Sequence, residues 1–246
     1  MKAPRGAAGI VATAEVVAVA AVVASLLFLT RVAAAPAAAP RYLALGDSYT
    51  IGEGVAPADR WPVRLAALLS RHGIPFPPPE IVARTGWTTA DLAAALDREP
   101  PVGPFALVSL QIGVNDQYRG GEADADYRGR FRGLLRRAVG WAGGEPRGVL
   151  VLSIPDWGVT PFAQGQDRAR IAAEIDRFNA VEREEAARAG ARWVDITPES
   201  RRSAGDRSLF AADGLHPSAR QYAAWAHLAL DPATAALSRH VTPVRR

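Results

Sequence analysis

No cysteine occurs among the 246 residues, and lysine occurs once, at Lys2. Without cysteine, a disulfide scaffold, thiolate zinc sites, iron–sulfur clusters and a thiol nucleophile are all excluded. The redox compartment stays open, because a chain of this length buries a core that needs no cross-links. With Lys2 as the single lysine, the Gly-Lys-[Ser/Thr] of a phosphate-binding loop cannot be assembled. The Gly-x-Ser-x-Gly turn of an α/β-hydrolase and the His-Glu-x-x-His of a zinc protease are also missing. Gly46, Gly52 and Gly54 have the wrong spacing for a dinucleotide fingerprint. Long apolar runs are confined to the N-terminus, which excludes a polytopic membrane protein.

What is present is the composition of a globular chain: 49% hydrophobic and 22% charged residues, enough for a full core. The length suits one α/β domain with an appendage. The formal net charge is +4, but Lys2, Arg5 and Arg31 against Glu15 account for half of it, leaving +2 for the rest. That remainder is arginine matched by acids spread along the chain, not a basic face for phosphates, so no nucleic-acid partner is expected.

Lys2 and Arg5 precede an apolar stretch from Ala7 to Thr30, purest from Val16 to Leu29, and Ala33-Ala34-Ala35-Pro36 follows. A basic start, an apolar run and small residues at its end form a secretory-signal pattern over residues 1–35. Glu15 interrupts the run, and its length also suits an uncleaved anchor through residues 7–30, which would associate the protein with a membrane. Both readings export the domain behind it, to the periplasm or beyond. Residues 36–40 read as an Ala/Pro linker, 41–235 as one domain and 236–246 as a C-terminal tail. A monomer is expected.

From Arg41 the chain alternates short apolar runs with stretches of helical period. Strands are expected at Tyr42–Leu45, Ile81–Ala83, Phe105–Ile112, Val149–Ile154 and Trp193–Ile196. Helices are expected at Trp61–His72, Thr88–Arg98, Asp124–Trp141, Asp167–Ala189 and Ser218–Leu230. Apolar, non-alternating strands separated by helices predict a parallel sheet covered on both faces. The fold class is therefore α/β, a three-layer α/β/α sandwich on a five-stranded parallel sheet.

In such a sheet function gathers at the carboxyl ends of the strands. The polar residues there are Gly46-Asp47-Ser48-Tyr49, Arg84-Thr85-Gly86-Trp87, Gly113-Val114-Asn115-Asp116 and Pro155-Asp156-Trp157-Gly158, with Asp213-Gly214-Leu215-His216 before the last helix. A serine, an amide, an acid and a histidine on one rim are the inventory for acyl transfer. Taken singly, each is equally a turn or a helix cap. In combination and order, Gly46-Asp47-Ser48, Gly86, Gly113-x-Asn115-Asp116 and Asp213-x-x-His216 resemble the SGNH hydrolases, the GDSL family of serine esterases and lipases. The resemblance spans Arg41 to about Leu230 and implies a flavodoxin-like architecture.

It further implies Ser48 as nucleophile, His216 as general base and Asp213 as its orienting acid. The N–H groups of Ser48 and Gly86 and the side-chain amide of Asn115 would form the oxyanion hole. The implied substrate is a small-molecule ester, whether an acyl ester, a lipid or an acetylated sugar, with no metal and no organic cofactor. Tyr49, Trp87 and Trp157 are candidates for a substrate pocket, with packing against the sheet edge as the alternative. Asp47 is expected to hold the turn, and Asp116 to pair or cap locally. His72, His227 and His240 read as surface or helix residues, and Arg128, Arg132 and Arg136 as a solvated helix stripe. A competing reading of the whole is an exported glycan- or lipid-binding module without catalysis, on the same fold.

Overall fold

The computed structural model describes Met1 and residues 39–121 and 123–238. The segment read as signal or anchor, most of the linker, His240 and the end of the tail lie outside the described residues. The chain divides after Ala38, and the unit that begins at Ala39 carries the fold.

Five strands make one sheet: β1 (Tyr42–Gly46), β2 (Glu80–Ala83), β3 (Leu107–Gln111), β4 (Val149–Leu152) and β5 (Arg192–Val194). Their order is β2-β1-β3-β4-β5, every pair parallel. The inner strands β1, β3 and β4 are buried at every residue, whereas edge strands β2 and β5 are only partly covered. Burial on both faces leaves no polar side of the sheet, so these strands read as unbroken apolar runs.

The helices are α1 (Ser48–Ile51), α2 (Trp61–Arg71), α3 (Thr89–Arg98), α4 (Val114–Tyr118), α5 (Ala125–Trp141), α6 (Arg168–Ala189), α7 (Thr197–Arg202) and α8 (Ala219–Leu237). Helices α2 and α8 pack together on one side of the sheet, and α5 packs with α3 and α6 on the other. Trp61, Leu65 and Leu69 meet the face of α8 that carries Tyr222, Trp225 and Ala229, all fully buried. Each large side chain so enclosed contributes about 1.5–3 kcal/mol of transfer free energy.

Two expectations are corrected here. The last helix continues seven residues past Leu230, through Pro232, because Ala233, Ala236 and Leu237 are buried in the core. Tertiary burial outweighs the one backbone hydrogen bond a proline removes. The tail therefore begins later than residue 236. The solvated-face reading of the α5 arginine stripe is amended: Arg132 and Arg136 are exposed, as expected, but Arg128 and Arg132 also form ion pairs with α6. Arg128 and Arg132 both bind Glu185 of α6, at 2.8 and 2.7 Å, and only 2% of that carboxylate side chain is exposed. Arg188 joins them at 2.6 Å, and the three cations hold the Glu185 carboxyl down at about 2.

The strand order decides where chemistry can occur. From β1 the chain moves outward to β2, then crosses back to β3 on the other side of β1. Beyond the carboxyl ends of β1 and β3 this reversal opens a crevice, the usual ligand position in open α/β sheets. Gly46 at the end of β1 pairs with Gln111 at the end of β3. A Cβ on Gly46 would stand 2.1 Å from Thr50 Oγ1 and 2.4 Å from the Gln111 carbonyl oxygen. Only glycine lets the next turn start this close to β3.

Candidate active site

Asp47 leaves β1 and caps α1, its Oδ1 accepting the Tyr49 N–H at 3.0 Å. The Asp47 carbonyl accepts from Thr50 and Ile51, and that of Ser48 from Gly52 and Glu53, so one tight turn is closed at Gly52. Ser48 is thus the first residue of a single-turn helix directly above the sheet, and its residue is 5% exposed. Its hydroxyl makes no hydrogen bond to another described residue.

The second cluster lies before α8. Asp213 Oδ1 accepts the N–H groups of Leu215 (2.9 Å) and His216 (3.0 Å), while Oδ2 holds His216 Nδ1 at 2.6 Å. The turn between them passes through Gly214 at φ +68°, a conformation that strains any side chain. Burial pushes the Asp213 carboxyl upward, but the bonds from the His216 ring and the two N–H groups outweigh it and hold it below its ordinary value. With Nδ1 engaged, the free ring nitrogen is Nε2. The imidazole packs on Tyr49, ring centroids 5.5 Å apart, and Tyr49 packs in turn on Trp225 of α8. The residue after Ser48 therefore seats the histidine, 167 positions further along the chain.

A third group joins the loops after β2 and β3. Asn115 Nδ2 donates to the Trp87 carbonyl at 2.9 Å. Asp116 accepts from Thr89 twice, from N at 2.8 Å and from Oγ1 at 2.6 Å. Arg119 Nη2 donates to the Gly86 carbonyl at 2.6 Å. Asp116 thus pairs with the first residue of α3, 27 positions away, where a local pair or cap was expected. Gly86 has φ +80° and Gly113 φ +132°, so both turns depend on glycine. A Cβ on Gly113 would collide with the Tyr127 hydroxyl at 2.2 Å and with Glu182 Oε1 at 2.7 Å.

Buried acids lie beneath these loops. The Tyr127 hydroxyl donates to Glu182 Oε1 at 2.5 Å, and Glu182 is fully buried. Burial drives the Glu182 carboxyl well above its ordinary range, the Tyr127 bond opposes this, and the charges of Asp116 and Asp47 add to the rise. Asp47 is raised to about 7, mainly by burial, against the Tyr49 N–H bond and with help from Asp116. Asp116 is raised by burial too, though the Thr89 bonds pull it back. Among the described residues, no group of three or more His, Cys, Asp or Glu side chains is arranged to hold a metal ion.

Of the three aromatic residues named from sequence as pocket candidates, Tyr49 and Trp157 are 4% and 5% exposed and Trp87 is partly buried. Tyr49 supports His216, and Trp157 donates Nε1–H to Gln117 Oε1 at 2.8 Å. The exposed rings near the site are instead Tyr118 and Phe162, which the sequence reading did not single out. Thr89 and Arg119 were missed as well; nothing local marks them, because their partners lie on other loops.

A profile of the GDSL-like Lipase/Acylhydrolase family matches residues 44–224. No curated protein sequence matches the chain. Among solved structures, phospholipase A1 from Streptomyces albidoflavus NA297 is similar with a TM-score of 0.61 at 22% identity, over 78% of this chain and 98% of that one. TesA gives a TM-score of 0.57 at 25% identity, covering 82% and 99% of the two chains. An acetyl-xylooligosaccharide esterase from Geobacillus gives 0.60 at 17% identity, over 84% and 97%. The likenesses agree with the five-stranded parallel sheet and its flanking helices.

Proposed function

This chain belongs to the GDSL-like lipase/acylhydrolase family, and from that premise we propose that it hydrolyses carboxylic esters through an acyl-serine intermediate. The observation that carries the reading is the seating of His216. Its Nδ1 is held by Asp213 at 2.6 Å and its ring lies on Tyr49, the immediate neighbour of Ser48.

In the first half-reaction Ser48 Oγ attacks the ester carbonyl carbon while His216 Nε2 takes its proton. Asp213 keeps the imidazole in the tautomer with Nδ1–H and stabilises the imidazolium as it forms. The carbonyl oxygen gains negative charge and is met by the N–H groups of Ser48 and Gly86 and by Asn115 Nδ2. Collapse of the intermediate breaks the bond to the alcohol, which leaves with the proton from His216. Water, deprotonated by the same nitrogen, then attacks the acyl-serine, and the released acid restores Ser48. All the bonds made and broken lie among ester, serine and water.

The ties between the loops support this assignment of Asn115 and Gly86. Asn115 spends one amide hydrogen on the Trp87 carbonyl, which leaves the other for substrate. Residues 1–35 would deliver the domain outside the cytoplasm, as a cleaved signal or as an anchor. A fluorophosphonate ester tests the central claim, because it reacts only with an activated serine. Covalent labelling should map to Ser48 and be lost in Ser48→Ala and His216→Ala. A folded protein that stays unlabelled would be a binding module on this fold, not a hydrolase.

A further inference from the structure

We infer that Tyr118 and Phe162, lying on Trp157, form an open shelf that binds the acyl chain of the ester and makes the enzyme select for longer apolar acyl groups. The inference rests on the ester-hydrolase reading above and adds the substrate class.

Large exposed apolar side chains are unremarkable when scattered singly. These are not scattered. Tyr118 is 52% exposed and Phe162 44%, they come from segments more than forty residues apart, and their ring centroids are 6.3 Å from each other. Trp157 lies against both, at 5.3 Å from Tyr118 and 6.2 Å from Phe162. Its indole is fixed by Gln117, which is itself held by Glu174 at 2.7 Å. The result is a rigid aromatic floor with two rings open to solvent.

The shelf is continuous with the catalytic residues. Tyr118 is three positions after Asn115 on α4, so the two side chains share a helix face about 5–6 Å apart. Phe162 donates its N–H to the Gly214 carbonyl at 3.0 Å, inside the turn that joins Asp213 to His216. The leaving oxygen must face His216 to receive its proton, and the acyl group, on the other side of the carbonyl carbon, runs past Asn115 onto the ring of Tyr118, with Phe162 closing the shelf from the His216 turn. Between Tyr49, Trp157, Leu215 and Trp225 the free space is about 10 Å³, no more than one water fills.

The test is a series of p-nitrophenyl esters from acetyl to decanoyl, with kcat/KM measured for each. Full burial of a methylene is worth about 0.8 kcal/mol, or roughly fourfold, so a half-open shelf should yield about two- to fourfold per carbon. The rise should begin near butyryl, where the chain reaches past Asn115. In Tyr118→Ser/Phe162→Ser the ratio of decanoyl to acetyl kcat/KM should collapse at least tenfold, and Tyr118→Leu/Phe162→Leu should restore most of it. Should the double serine variant fail to fold, Tyr118→Ser alone carries the test with a smaller loss of the ratio. A flat wild-type series, an unchanged ratio in the serine variants, or chain-length dependence that appears only when the alcohol is lengthened would each overturn the shelf. Labelling of Ser48 by the phosphonate separates the two failures: labelled protein with a flat series sinks the shelf alone, and unlabelled protein sinks the hydrolase reading with it.

Discussion

Replacing Asn115 by alanine removes two interactions of different kinds. One is the proposed donor to the developing oxyanion; the other is the 2.9 Å bond to the Trp87 carbonyl that ties the loop after β3 to the loop after β2. The first acts only when the carbonyl oxygen becomes negative, so its loss should appear in kcat and hardly in KM. Loss of a preorganised donor of this type lowers kcat by about 10²–10³, or 2.7–4 kcal/mol. The second interaction acts on the folded state. One hydrogen bond contributes about 1 kcal/mol, which shifts Tm by about 2–4 °C in a domain of this size. The loops stay joined through Asp116 with Thr89 and Arg119 with Gly86, so the melting shift should not be larger. Asn115→Asp should be worse on both counts, since an ionised carboxylate donates nothing, faces the Trp87 carbonyl and repels the oxyanion. Steady-state kinetics on one short-acyl ester, with thermal melts of both variants, measure the two effects separately. Undiminished kcat in Asn115→Ala would refute the oxyanion role. A rise in KM alone would assign the residue to substrate binding, and outright unfolding would make it a structural turn.

The pH–rate profile should show a one-proton acid limb, kcat/KM falling tenfold per unit, because a single general base must be unprotonated to act and Asp213 stays ionised below the ordinary carboxylate range; a slope of two would contradict that. Stability should respond to pH in the opposite sense to most carboxylate proteins. Asp47 is raised in the fold to about 7, so the stability it lends is full below its unfolded pKa near 4 and is lost as pH rises through 7. Buried Glu182, also raised, acts in the same direction, whereas Glu185 and Asp213, both lowered, lose their contribution only as the solution becomes strongly acidic. Tm should therefore peak at about pH 4 to 5 and decline from there toward pH 8, and Asp47→Asn, which keeps an acceptor for the Tyr49 N–H, should flatten the decline. A Tm that climbs steadily from pH 5 to 8 is the contrary result. Expressed with its own N-terminus, the protein should be recovered outside the cytoplasm, either shortened near Ala35 or in the membrane fraction; full-length protein in the soluble cytoplasmic fraction would contradict export.

The sequence by itself determined the elements and the candidate positions for chemistry. Runs such as Leu43–Leu45 and Val149–Leu152 are apolar throughout because both faces of the sheet are covered, and that pattern is visible without coordinates. Ser48, Gly86, Asn115, Asp213 and His216 could be picked out because each sits within a few residues of a strand end or a helix start. The Asp213–His216 contact spans three positions and lies within reach of local reasoning. Only the tertiary structure decided the rest. Strand order β2-β1-β3-β4-β5 places the loops after β1, β2 and β3 side by side, and from that follow the bonds of Asp116 to Thr89 and of Arg119 to Gly86. Tyr49 read as a pocket residue and became the seat of His216. Tyr118 and Phe162, ordinary in their own segments, meet because α4 and the loop before Gly214 converge. Pro232, locally a helix stop, lies inside α8 because Ala233 and Leu237 beyond it are buried in the core. Periodicity and capping are settled by neighbours a few residues apart, so a sequence displays them directly. A contact between distant segments depends on how every element packs, and no local pattern encodes it.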